Sequence, residues 1–225
     1  MRAPARRGML RLPSMVTKKP KKKARRPAPR SRAEQKQDTR ERIRDAAWAL
    51  FLERGYEETT TKEIAARAGV AAGTVFVHAS DKEDLLFLVM HERLAETVEA
   101  ALASVPPGPL VSRLMFVYAR LFAMYGEHPA LSAAFVRSVP GAKGPNAQRL
   151  MMFTLGFLHR VSSLVVDGQQ TGEISREIDP LLASQNAFAL YFSALLSWVN
   201  GYATLETALE PLLRSSLDLA VRGLR

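Results

Sequence analysis

Apolar residues recur along this chain at helical spacing from residue 38 to the C-terminus. In "DTRERIRDAAWALFLERG" (38–55), Ile43, Ala46, Ala47, Leu50 and Phe51 follow the i, i+3, i+4, i+7, i+8 rhythm of one helix face. Asp38 and Glu41 stand at capping-box spacing ahead of that face, and Gly55 stands where a helix stops. The same signature at Thr60 and Glu63 predicts a helix of about two turns over 61–68, with Gly69 just past its end. A third short helix falls within 72–79. Ser80 with Glu83 predicts the start of a long fourth helix, which ends before Pro106-Pro107 because proline cannot continue it. Further helices are predicted over 109–126, 128–138, 146–168, 179–201 and 205–223. The breaks fall at Gly126 and Pro129, at "PGAKGPN" (140–146), at "DGQQTGE" (167–173) and at Gly201. No segment alternates apolar and polar residues with the period of a strand. The expectation is an all-α chain of about nine helices without internal repeats.

The three leading helices meet the mechanical demands of a helix-turn-helix. Where the second helix crosses the third closely a small residue is needed, and Ala65 supplies it. The turn needs tolerance of positive φ, which Gly69 has. Ile64, Ala68, Val70 and Val75 are the inward anchors, leaving Ala71, Ala72, Gly73, Thr74, Phe76, Val77 and His78 as the outward face of the third helix. This face carries almost no long polar side chain of the kind that makes bidentate base contacts. Base readout there falls to thymine-methyl contacts from Ala and Val, to DNA shape, or to a basic arm in a neighbouring minor groove.

Charge supplies such an arm. The chain carries a formal charge of +10, but residues 1–37 hold 14 of its 32 Lys/Arg against one acid, Glu34, leaving 18 basic and 21 acidic residues elsewhere. The run "KKPKKKARRPAPRSR" (18–32) has prolines and almost no apolar residues, so residues 1–37 read as a disordered basic tail that contacts polyanions, nucleic acid first. Residues 38–84 then form the helix-turn-helix domain and 85–225 a larger helical body. With no cysteine there are no disulfides or thiolate metal sites, which fits a reducing compartment. No apolar stretch of signal-peptide length follows the basic N-terminus, and the longest apolar tract, 187–199, is short of the ~20 residues of a membrane span. A soluble, cytoplasmic protein is expected. His78, His91, His128 and His159 lack metal-ligand spacing, and no HExxH, phosphate-binding glycine loop or GxSxG turn occurs. Neither an enzyme nor a cofactor is expected.

In the body, the helix over 179–201 is apolar almost all round. The last helix carries a broad stripe of Leu205, Ala208, Leu209, Leu212, Leu213, Leu217, Ala220, Val221 and Leu224, backed by Glu210–Arg214 and Asp218–Arg222 pairs. These two helices are the candidates for a four-helix dimer bundle. The middle helices are rich in Met and aromatics, which suit an adaptable apolar cavity. The candidate ligand residues are Met115, Tyr118, Phe122, Tyr125, Met152, Phe153, Phe157 and His159, and the expected ligand is apolar or amphipathic. Arg113, Arg120 and His128, like His159, are polar candidates for contact with such a ligand, with a surface or structural role the favoured alternative for each.

Residues 39–88 resemble the DNA-binding domain of the tetracycline-repressor (TetR) family of bacterial transcriptional regulators. The resemblance lies in "AAWALFLERGY" (46–56), in "TTKEIAARAGV", in Gly73-Thr74 and in "SDKEDLL". It implies a homodimeric repressor whose paired third helices enter successive major grooves of a palindromic operator and leave when a small effector binds the C-terminal domain. It further implies that Thr61 and Thr74 bond phosphates, that Phe76 packs on the backbone, and that His78 and Lys82 make further phosphate contacts. Ala79 departs from the family's bulky aromatic, and Val77 and Ala72 stand where polar residues often read bases. An architectural DNA-binding protein with a basic tail and no effector is the alternative.

Overall fold

The computed structural model describes residues 31–224, so the basic run of residues 1–30 lies outside the described residues. Every regular element among the described residues is helical, as the periodicity predicts. The first helix, α1 (Arg32–Arg54), begins upstream of the expected cap. Ser31, not Asp38, is its N-cap, accepting from the Glu34 N–H at 3.2 Å while the Glu34 carboxylate accepts from the Ser31 N–H. Two capping signatures compete here, and the outer one prevails because each residue added to a nucleated helix brings a further hydrogen bond. Asp38 becomes an interior residue paired with Arg42 at 3.2 Å. Residues 32–37 are therefore helical rather than part of a tail.

The second helix, α2 (Thr61–Ala68), carries the expected Thr60–Glu63 capping box and ends at Gly69, whose φ of +65° is left-handed. The third, α3 (Ala72–Val75), is one turn long and is prolonged by bonds from the Val77 N–H to the Thr74 carbonyl and from the His78 and Ala79 N–H groups to the Val75 carbonyl. Ile64, Ala65, Ala68 and Val75 are buried against Ile43, Ala47, Leu50 and Phe51 of α1, as the pattern requires.

Next comes α4 (Lys82–Ala103), capped by Asp81 rather than Ser80: the Asp81 side chain accepts from the Asp84 N–H at 2.8 Å. It runs from the helix-turn-helix into the body, where α5 (Leu110–Glu127), α6 (Pro129–Ser138), α7 (Pro145–Gln170) and α8 (Pro180–Val199) close around it. The Glu173 carboxylate caps α5 by accepting from the Leu110 N–H with both oxygens at 2.9 Å. By length and composition α7 is the one helix among the described residues that could cross a membrane, with a mean hydropathy of 1.3. Here it packs against α4 and α8.

The ninth expected helix is broken. A single turn, α9 (Leu205–Thr207), leads through a wide turn over 208–213 into α10 (Arg214–Arg222). Pro211 interrupts the run and leaves Glu210 extended, at φ −131° and ψ 118°. The Glu210–Arg214 pair forms at 2.5 Å, whereas Asp218 and Arg222 form no such pair among the described residues.

Domain and body are fastened by a buried polar joint. Asp84 is fully buried in the first turn of α4. Its Oδ1 accepts from the Asn146 and Ala147 N–H groups at 2.9 and 3.1 Å, and its Oδ2 from the Ser80 N–H at 3.1 Å and Asn146 Nδ2 at 2.9 Å. Asn146 Nδ2 also donates to the His78 carbonyl at 2.9 Å, and its Oδ1 accepts from Arg40 Nη2 at 2.8 Å. The positive end of α7 thus meets a carboxylate. Only glycine fits beside it: Gly144 has a φ of +106°, and a Cβ there would lie 2.6 Å from Asp84 Cγ and Ser80 Oγ. Asp84→Ala strands these donors and is expected to cost about 3 kcal/mol, a fall in Tm of roughly 6–12 °C in thermal unfolding. An unchanged Tm would show that the joint holds nothing.

Candidate nucleic-acid interface and ligand cavity

The surface that α2 and α3 turn outward is small and smooth. Ala71, Ala72 and Gly73 are exposed, Thr61 and Thr74 are half-buried, and neither threonine hydroxyl has a partner among the described residues. Phe76 and Val77 stand out at 54% and 65% exposure, large for apolar side chains beside a well-filled core. Gly69 brings α2 and α3 together, and Val75 anchors the turn from inside.

Two expected residues lie elsewhere. His78 is 7% exposed and is not on the outward face; it packs inward, and its carbonyl is held by Asn146. The three-residue step from Val75 keeps His78 on the anchored side of so short a helix. Burial, aided by the nearby charges of Lys36, Arg40 and Arg149, lowers its pKa and keeps it neutral at pH 7. Lys82 is half-buried and spends its ammonium on the Tyr56 and Glu57 carbonyls at 3.0 and 2.9 Å, lying 4.6 Å from the Tyr56 ring centre. It ties α4 to the loop after α1. Lys62, which the sequence reading did not single out, is exposed beside Thr61 with no ion pair among the described residues. Its position in the first turn of α2 is the signal that could have found it.

A cavity of about 390 Å³ lies within the body, walled by α4, α5, α6, α7 and α8. Leu94, Val98, Leu121, Phe135, Phe188 and Leu195 make its wall largely apolar. Gly141, Ala142 and Gln148 border it where α6 leads into α7, and Met151 and Leu155 extend it to an exposed edge. Of the expected ligand residues, Tyr125, Phe153 and Phe157 line it. Met115, Tyr118 and Phe122 are buried core outside the wall, while Met152 and His159 are exposed on the outer side of α7. A one-residue shift along a helix turns a side chain by about 100°, so Met151 lines the cavity and Met152 does not.

The remaining polar candidates also lie off the wall. Arg113 pairs with Asp167 at 2.6 Å, Arg120 lies over the Phe116 ring, and His128 meets Trp48 edge-on. The whole contribution of α8, including Tyr191 and Phe192, was missed. Its signal was present: a helix that is apolar all round has two covered faces, and one of them covers this cavity.

The family model described as "Bacterial regulatory proteins, tetR family" matches residues 43–89, the segment from mid-α1 into α4. Over 183 residues the chain is 26% identical to the fatty acid metabolism regulator protein of Bacillus subtilis, an alignment covering 81% of this chain and 93% of that protein. It is similar in structure to FadR from Bacillus subtilis, solved in complex with stearoyl-CoA: TM-score 0.63 and 25% identity, covering 82% of this chain and 99% of that one. It is also similar to Thermus thermophilus FadR, a TetR-family transcriptional repressor solved with lauroyl-CoA, with TM-score 0.60, 25% identity, and coverage of 82% and 92%. The tetR-family match is thus confined to the DNA-binding segment 43–89, and with its helical body and these relatives the chain is a ligand-responsive, DNA-binding transcriptional regulator.

Proposed function

We propose that this protein is a cytoplasmic homodimeric repressor whose effector is a long-chain acyl thioester of coenzyme A. The observation that carries this reading is the apolar cavity, of a size that takes a small ligand. One of its walls is α7, the helix whose first turn holds the His78 carbonyl and the Asp84 carboxylate. A chain entering beside Met151 and Phe153 displaces α7, and the displacement reaches the recognition turn through Asn146. The relatives solved with stearoyl-CoA and lauroyl-CoA support an acyl chain as occupant. An effector-free architectural role has no use for such a cavity. The exposed apolar residues Leu182 of α8, Leu212 of the wide turn and Leu219 of α10 support pairing through the last helices.

On DNA, Ala71, Ala72 and Gly73 approach the groove, Thr61 and Thr74 bond phosphates, and Phe76 packs on the backbone. Val77 reads a thymine methyl. Titration of the operator-bound protein with stearoyl-CoA, lauroyl-CoA and free coenzyme A is expected to release DNA with the thioesters alone, followed by fluorescence anisotropy. Release by free coenzyme A alone would overturn the acyl reading. In selection against a randomised operator, Val77→Ala is expected to lose about 1 kcal/mol of discrimination at one thymine position. A loss uniform across sequences would remove methyl readout from Val77. Deleting residues 1–30 is expected to flatten the salt dependence of binding, by roughly 0.9 in log–log slope for each phosphate that the tail neutralises. An unchanged slope would make the tail a bystander.

A further inference from the structure

Three tyrosines stand together at the α5–α8 wall. Tyr125 and Tyr191 line the cavity and are buried, and Tyr191 Oη donates to Tyr125 Oη at 3.3 Å. Tyr118, two turns before Tyr125 on α5, stacks on the Tyr191 ring at 4.7 Å with 14° between the planes. Its hydroxyl is fully buried and is the one such side-chain atom without a hydrogen-bond partner among the described residues.

The protons can be accounted for one by one. Three phenols offer three O–H donors, and the Tyr191 proton is spent on Tyr125. The Tyr125 and Tyr118 protons meet no acceptor among the described residues. Burial keeps all three phenols protonated, pushing Tyr125 up to about 12 and Tyr118 and Tyr191 well above the ordinary range, so each stays a donor. No hydrogen bond carries these protons to the other polar residues of the wall: the Thr154 hydroxyl donates to the Leu150 carbonyl and meets neither tyrosine, and Gln148 is exposed at the rim. Buried donors left unpaired are costly, and a site that holds them discriminates strongly in favour of a ligand that supplies the acceptor.

We propose that the Tyr125–Tyr191 pair, backed by Tyr118, receives an acceptor oxygen of the effector inside the otherwise apolar cavity. The ligand is therefore a lipid with a carbonyl or hydroxyl oxygen at the depth of the α5–α8 wall, and a bare hydrocarbon segment there is disfavoured. This rests on the reading of the cavity as the effector site, but not on the coenzyme A portion. The oxygen has two possible sources, the thioester carbonyl or a substituent on the chain.

Calorimetric titration of the full chain and of Tyr125→Phe and Tyr191→Phe, each checked for an unchanged Tm, separates them. The ligands are stearoyl-CoA against its thioether analogue S-octadecyl-CoA, and 12-hydroxystearoyl-CoA and free 12-hydroxystearic acid against their deoxy forms. Tyr125→Phe is expected to weaken the oxygen-bearing member of a pair about tenfold and to leave its oxygen-free partner within twofold. Such a split in the stearoyl/octadecyl pair assigns the oxygen to the thioester, and a split in the hydroxylated pairs assigns it to the chain. Equal effects on both members of every pair overturn the proposal. If no thioester binds the parent while the free hydroxy acid binds with the same tyrosine dependence, the coenzyme A reading fails and this one stands. If no ligand binds the parent, both fail.

Discussion

Withdrawing a carboxylate from water costs several kcal/mol unless hydrogen-bond donors surround it. Asp84 meets that condition with donors drawn from three places: Ser80 beside it, and the backbone and side chain of Asn146 with the Ala147 backbone from 62 and 63 positions away. Satisfying one side chain therefore settles where α4 begins, where α7 begins and where the recognition turn ends. Around this joint the contacts are apolar or ionic and more forgiving, as with Arg93 stacked 4.6 Å from the Trp48 ring centre and paired with Glu127.

This dependence explains why α3 can be so short. A four-residue helix has almost no stability of its own, because nucleation is costly and few bonds follow it. Its geometry is inherited from Gly69 at one end, Val75 beneath, and the Asn146 amide on the His78 carbonyl at the other end. The exposed surface is then free to be smooth. Ala71, Ala72, Gly73 and Val77 need no polar atoms to hold themselves in place, and in the proposed DNA-binding role their lack of bulk suits a close approach to a groove.

Local rules made much of this legible. Periodicity located the buried face of α1 and helix-turn-helix mechanics that of α2, and the Thr60–Glu63 box and Gly69 bounded α2 to the residue. At two helix starts the cap lies elsewhere than expected, at Ser31 rather than Asp38 for α1 and at Asp81 rather than Ser80 for α4. Pro211 was visible in the sequence, yet the apolar stripe on both sides of it implied a continuous helix that proline does not permit. His78 and Lys82 took roles that depend on residues distant in sequence, to which no local pattern points. The cavity wall was half legible. Met and aromatic content marked the right helices, but a position one step along a helix faces another way, and α8 was assigned to a partner when it also serves the interior.

The joint also bears on how such a protein can be recombined. A border drawn after residue 84 looks like a clean seam between a reading head and a sensing body, yet Asn146 lies 68 positions beyond the carbonyl it holds. A graft of the head onto another body carries Asp84 and His78 and leaves their partner behind, unless the "GPN" of residues 144–146 travels with it. The unit of inheritance for this regulator is thus discontinuous, a head together with one turn of a distant helix.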